Sequence, residues 1–455
     1  MTGRYKTYPE YKDSGVHWLR EIPADWSVVP LKYLASLNPK KSGLDKQKMS
    51  EYCSFIPMDK LKLNNLRLDE AKLISDVYDG YTYFENEDVL LAKVTPCFEN
   101  KNIAVAKNLL NGIGFGSSEI YVLRANSKLH NQFLFYRLQE DGFMEIATAA
   151  MSGAGGLKRV PAEVINSFVT AFPSLSEQQK IVNFLDHETA KIDTLIDKQE
   201  KLVELLKEKR QAVISHTVTK GLNPNAPMKD SGVEWVGEVP EHWGKITFKQ
   251  IIKTRKGVAF STSDFCDSGV RVVKASDIKQ LTLKKSDVFL PEAFIQKYPK
   301  AYLAQGDIIL STVGSTPDVK NSAVGQVAMV PKELDKTLLN QNTVVFDPRC
   351  EKIDRNYLFF LLQTIAYRDH LDLNAHGTAN QASLNVADML DFKCSIPSID
   401  EQKNIAEYLQ QFLDTVSNLE TKAVSVIELM KERKTALISA AVTGKIDVRD
   451  WEGGN

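Results

Sequence analysis

The sequence has no apolar run of the about 18 residues that a membrane-spanning helix needs. Its polar start, MTGRYKTYPEYKD, holds no apolar stretch of the signal-peptide kind. Neither insertion nor secretion is indicated, so a cytoplasmic protein with no membrane partner is expected. Cysteine is scarce: Cys53, Cys97, Cys266, Cys350 and Cys394 are odd in number, scattered, and never form a CxxC pair. That argues against a disulfide framework and a thiolate zinc site, and leaves the five to be expected as buried apolar residues. The seven histidines show no metal-ligand spacing. No GxxxxGK[ST] phosphate loop occurs, nor any Asp/Asn-Pro-Pro-aromatic tetrapeptide of the kind that holds an adenine amine for methylation, so no chemistry of either sort is expected here. The stretch PDVK, Pro317 to Lys320, has a carboxylate and a lysine but no second acidic residue close to that lysine, and reads as a loop. Excess charge is also missing. The net charge is −1, with 20 Lys and Arg against 16 Asp and Glu from Gly244 to Pro397, and 6 against 8 from Pro397 to Asp447. Any face that binds a polyanion must therefore be local.

What is present is repetition, in a chain of 455 residues and 43% apolar content that can bury at least two cores. KDSGVHWLREIPADW from Lys12 returns as KDSGVEWVGEVPEHW from Lys229, and PSLSEQQKIVNFL from Pro173 returns as PSIDEQKNIAEYL from Pro397. Each half runs from an aromatic and proline-rich opening through about 150 residues of mixed character into a long helix. Ser176 with Gln179 at capping-box spacing, and Asp400, are the expected helix starts. One helix carries Ile181, Leu185, Glu188, Ile192, Leu195, Gln199, Leu202 and Leu206 in alternating steps of four and three. The other carries Ile405, Leu409, Phe412, Val416, Leu419, Ala423, Val426 and Met430. Two seams of equal phase in one chain are expected to bury each other, in helices of roughly 38 residues or about 57 Å.

The segments between are α+β, with short β-branched runs DVLLAKV from Asp88, SEIYVLRA from Ser118, GDIILSTVG from Gly306, VGQVAMV from Val324 and NTVVFDP from Asn342. Asp88-Val89-Leu90-Leu91 aligns with Asp307-Ile308-Ile309-Leu310, while TPCFENKN and MSGAGGLKRV differ from GSTPDVKN and HGTANQASLN. A repeated scaffold with divergent polar loops suits a binder of two different targets. The loop residues of the types that read base edges and phosphates are Lys93, Thr95, Asn100, Lys101, Ser117, Ser118, Lys158 and Arg159 in the first half. In the second they are Thr312, Ser315, Lys320, Asn340, Gln341, Asn342, Asn380 and Gln381. A scaffold that binds only proteins through its helices, and a stand-alone nuclease, are the competing readings; neither accounts for paired halves with different loops.

In this order of parts the chain resembles the specificity subunit of type I restriction-modification systems. The resemblance covers nearly the whole chain and is carried by YKDSGVHWLREIPADW and its second copy, by FPSLSEQQKIVNFLDHETAKIDTLI with IPSIDEQKNIAEYL, and by RQAVISHTVTKG with KTALISAAVTGK. It implies target-recognition domains over residues 1–172 and 222–396, antiparallel spacer helices over 173–221 and 397–447, and a tail over 448–455. It further implies a non-catalytic chain that reads a split double-stranded DNA site. Two methyltransferase subunits would supply S-adenosylmethionine chemistry, and two restriction subunits ATP- and Mg-dependent translocation and cleavage. No cofactor would be bound by this chain itself.

Overall fold

The computed structural model describes residues 5–44, 46–233, 236–279, 281–314, 324–378 and 381–453. Contacts divide the chain into two compact units, Met1–Glu200 with Val424–Asn455, and Lys201–Ala423. The two long helices, Leu175–Lys220 and Ile399–Val442, each contribute a stretch to each unit.

Both units are built to one plan. In the first, a four-stranded antiparallel sheet has the order Ile103–Val105, Val89–Ala92, Ile120–Ala125, Ala35–Leu37. The second repeats it as Val327–Met329, Ile308–Ser311, Thr343–Pro348, Ile252–Lys256. A second sheet in each unit contains one parallel pair, Tyr52–Ile56 with Ile113–Gly116 and Val270–Val273 with Thr337–Leu339. Period-two alternation sets the layers. Val89, Leu91, Tyr121 and Leu123 share a core with the helices, whereas Leu90, Ala92, Ile120 and Val122 share one with Ile56 and Phe84 of the second sheet. Ile308, Leu310, Val344 and Phe346 against Ile309 and Val345 repeat the division.

The repeated fifteen residues form a joint. Each copy makes a hairpin, Tyr11–Asp13 with Glu21–Pro23 and Met228–Asp230 with Glu238–Pro240. Each ends on a buried tryptophan whose indole N–H donates to a glutamate in the first turn of a long helix: Trp26 to Glu177 at 3.1 Å, Trp243 to Glu401 at 3.2 Å. The next residue is a buried glutamine. Gln178 accepts from the His130 N–H and donates to the carbonyls of Lys128 and Pro173; Gln402 accepts from the Asp354 N–H and donates to those of Lys352 and Pro397. The helices start earlier than Ser176 and Asp400, because Ser174 and Ser398 cap the N–H groups of Glu177 and Glu401. With their other ends at Lys220 and Val442, they run to 46 and 44 residues. Gly444, at φ +74°, follows the C-terminal helix, and a Cβ there would lie 2.4 Å from the Pro23 ring.

Each unit contains its own stretch of helix pairing. In the first, Lys180 reaches the carbonyl of Arg449, just past the C-terminal helix, while Asp193, further along, holds the Lys434 ammonium at 2.6 and 2.7 Å, so the two helices run antiparallel. Ile181, Leu185 and Ile192 share a core with Ile427 and Leu437, with Met430 packed against it; in the second unit Ile405 and Leu409 share one with Ile214 and Val218. Leu206 and Val416 are buried, and Phe412 and Val426 are half-buried. Leu195, Leu202 and Leu419, expected on the seam, are instead 45%, 42% and 46% exposed. A straight helix turns once per 3.6 residues, and a strict 3.5-residue stripe drifts off its face, so Ile196 and Ile427, one place beyond the stripe, are buried, while Ala423 stays buried as expected. All five cysteines are free, but only Cys53 and Cys394 are buried; Cys97 is half-buried, and Cys266, at a single bridge to Phe289 on a sheet edge, and Cys350, in a turn, are exposed.

Candidate nucleic-acid interface

In the first unit the strand Val89–Ala92 runs on into Lys93, whose N–H donates to the Glu119 carbonyl at 3.0 Å and whose carbonyl accepts from Val160 at 2.9 Å. Thr95 donates its N–H to the Lys158 carbonyl, and its hydroxyl donates to the Gly156 carbonyl and accepts from the Lys158 N–H, all at 3.0 Å. Three segments are thereby fixed side by side: the strand extension 93–95, the turn 117–119 and the hairpin Ser152–Ala154 with Leu157–Arg159. Every residue from Ser152 to Arg159 is exposed. The hairpin closes tightly because position 153 is glycine; a Cβ there would sit 2.2 Å from the Leu157 carbonyl oxygen.

The second unit reproduces this backbone frame. The Thr312 N–H donates to the Asn342 carbonyl at 2.9 Å, and its carbonyl accepts from Leu384 at 2.8 Å. Val313 pairs with Ser383 as Val94 pairs with Arg159. Position by position, Lys93, Glu119 and Arg159 correspond to Thr312, Asn342 and Ser383. The backbone bonds are the same and the side chains differ in charge.

The electrostatics diverge accordingly. Arg159 donates from Nε and Nη2 to the two Glu119 carboxylate oxygens, each at 2.9 Å. The guanidinium holds the Glu119 carboxyl below its ordinary range, with Lys93 adding to the effect, and the carboxylate raises Arg159 in return. The Lys93 ammonium stands 5.4 Å above the Tyr121 ring. The second frame presents Thr312, Asn340, Gln341 and Asn342, with the Asn340 side chain accepting from the Asn342 N–H at 3.3 Å. Asn340 is pressed so close to Gly257 that a Cβ there would lie 2.0 Å from its carbonyl oxygen.

Of the loop residues singled out from sequence, the frame gathers Lys93, Thr95, Ser117, Lys158 and Arg159 in one unit and Thr312, Asn340, Gln341 and Asn342 in the other. Ser117 accepts from the Glu119 N–H at 3.2 Å and so shapes the turn, leaving Ser118 exposed. Asn100 and Lys101 sit on a separate turn; the Lys101 ammonium donates to the Gln139 carbonyl at 2.8 Å and lies 3.6 Å from Asp141, which makes it a brace. Gln381 lies on the backbone of the second hairpin, while Ser315, Lys320 and Asn380 fall outside the described residues, with PDVK. Sequence reasoning passed over Glu119 and Ser383, since nothing local marks residues whose partners, Arg159 and Val313, lie 40 and 70 positions away. Among the described residues no cluster of three or more His, Cys, Asp or Glu could hold a metal ion, and no helix is long and apolar enough to cross a membrane.

The profile of the type I restriction modification DNA specificity domain matches residues 23–205 and again 240–429. The specificity subunit of the type I restriction enzyme MjaVIII from Methanocaldococcus jannaschii is 26% identical over 97% of this chain and 98% of its own length. That of EcoAI from Escherichia coli is 24% identical over 93% of this chain and 83% of its own. Among solved structures, a chain from a study of complex assembly and conformational transition in a type I R-M system superposes with a TM-score of 0.72 at 17% identity, over 92% of this chain and 98% of that one. The HsdS subunit from Thermoanaerobacter tengcongensis gives 0.56 at 17% identity, over 93% and 98%. Two matched domains on two units of one plan place this chain in the family of type I restriction modification DNA specificity subunits.

Proposed function

We propose that each unit reads one half of a split double-stranded DNA site through its three-segment frame, and that the length of the two long helices sets the unread gap. The carrying observation is the pair of frames with corresponding backbone bonds and unlike side chains, Lys93, Glu119 and Arg159 against Thr312, Asn342 and Ser383. Backbone identity fixes where a reader stands, and side-chain identity decides what it reads. On this reading the chain performs no chemistry. It recruits two methyltransferase subunits, which use S-adenosylmethionine, and two restriction subunits, which use ATP and Mg, and it works in the cytoplasm where the genome is accessible. A helical scaffold that binds only proteins gives no reason for the frames to differ.

The test is to co-express the chain with a type I methyltransferase subunit and map methylated adenines on a plasmid by long-read sequencing. A motif of two defined halves around a fixed gap is expected. A complex that forms yet methylates without such a motif contradicts the reading. Adding one helical turn to both long helices is expected to widen the gap and leave the half-sites unchanged.

A further inference from the structure

We propose that Arg159, held by Glu119, recognises a guanine in the half-site read by the first unit; this rests on the reading above and deepens it. A guanidinium has five N–H donors in a rigid plane. The Glu119 carboxylate occupies Nε and one side of Nη2. What remains is the outer edge, with parallel N–H groups on Nη1 and Nη2. That edge matches the O6 and N7 acceptors that only guanine presents together in the major groove.

Two observations separate this from an ordinary surface ion pair. The hairpin does not need the pair for its attachment, because Lys93, Thr95, Gly156, Lys158 and Val160 already tie it by backbone and hydroxyl bonds. Arg159 also stands on a hairpin exposed from end to end, with its side chain 45% and that of Glu119, on the neighbouring turn, 27% accessible, while Nε and Nη2 are fixed on the carboxylate. A long flexible side chain normally loses rotamer freedom when it binds; one already clamped in a fork has less to lose, and its donors point one way. The second unit has Asn342 and Ser383 at the matching positions, so no arginine fork of this kind stands there. Glu119 is a positioning residue, acting through Arg159.

The experiment uses the full-length chain co-expressed with a type I methyltransferase subunit, on a plasmid library whose half-site positions are randomised, with methylation scored base by base. Wild-type protein is expected to require a guanine, on one strand or the other, at one position of one half-site. Arg159→Ala and Arg159→Lys are both expected to reduce that preference by about tenfold to a hundredfold and to leave the other half-site unchanged. Lysine keeps the charge but not the fork, so loss in Arg159→Lys marks bidentate reading. Glu119→Gln is expected to weaken the same preference at the same position and no other. A motif unchanged in Arg159→Ala, or methylation lowered evenly across all sequences, overturns the proposal and makes Arg159 a structural or phosphate-contacting residue. A preference kept in Arg159→Lys overturns it as well. A wild-type complex with no two-part motif is a different failure, since it removes the split-site reading itself.

Discussion

In the first unit the Val442 carbonyl, in the last turn of a long helix, accepts from the Arg137 guanidinium at 3.2 Å; in the second, the Val218 carbonyl accepts from the Tyr357 hydroxyl at 2.9 Å. The donors come from matching seven-residue helices, Asn131–Arg137 and Arg355–Leu361, whose third and seventh residues are Phe133 and Arg137 in one and Tyr357 and Leu361 in the other. Where one copy has the polar group at the seventh position, the other has it at the third. What both keep is a hydrogen bond to the helix end, because a buried carbonyl left unpaired is costly. At the joint even the residues are kept, as Trp26 with Glu177 and Trp243 with Glu401 show. At the loop frame only the backbone is kept. Constraint relaxes from joint to core to loop, and the loops are where the two units are free to differ in what they read.

The largest expected effect tests the joint. Gln178→Ala and Gln402→Ala each remove three hydrogen bonds to backbone groups at a buried glutamine, and each should cost its own unit about 3 kcal/mol, seen by denaturant unfolding with local hydrogen exchange. A cost confined to one copy would break the equivalence of the two joints. Next is the core exchange. Arg137→Leu should destabilise the first unit by about 1–2 kcal/mol through loss of the bonds to Val442 and Thr170, and adding Phe133→Tyr should return the part due to the Val442 bond. A double-mutant cycle with no coupling between the two positions would contradict the substitution of one donor for the other.

The frame gives a smaller, salt-dependent effect. Lys158 faces Gly153 on the first hairpin as Ala382 faces Gly377 on the second, so a phosphate contact is expected from one and not the other. Lys158→Ala should weaken DNA binding evenly across sequences and reduce the slope of log affinity against log salt by about one. The smallest effect is a pH dependence in the first unit alone. His130 caps its helix by accepting the Gln132 N–H on Nδ1, and burial lowers its pKa below the ordinary 6.5. As pH falls below 6.5 the unfolded chain takes up the proton first, so stability should rise with pH across the window down to the lowered value. Asp354 caps the matching helix, accepting from Asn356 and Tyr357 at 2.9 Å, and His130→Asp should remove the slope in thermal melts taken from acid to neutral pH.

Much of this organisation was legible in the sequence because it is local or repeated. The β-branched runs from Asp88, Ser118, Gly306, Val324 and Asn342 all became strands, and both long helices stood where their apolar stripes placed them. Helix phase was less legible: Leu195, Leu202 and Leu419 satisfy a heptad, but the helix follows its own 3.6-residue turn. The hairpin at Ser152–Arg159 was hidden because Gly153, Gly155 and Gly156 read as loop, though glycine is what lets its strands close. The frame itself was out of reach, since Lys93, Glu119 and Arg159 meet only through sheet topology. Their identities were visible, and their juxtaposition was not.

The most direct test of independent reading is to replace Lys93, Glu119 and Arg159 together by Thr, Asn and Ser, the residues that the second frame carries at those positions, and to map the methylated motif of the resulting complex. The account predicts that one half-site changes its sequence while the other half-site and the gap stay as they were. A change in both halves, or in neither, would contradict it.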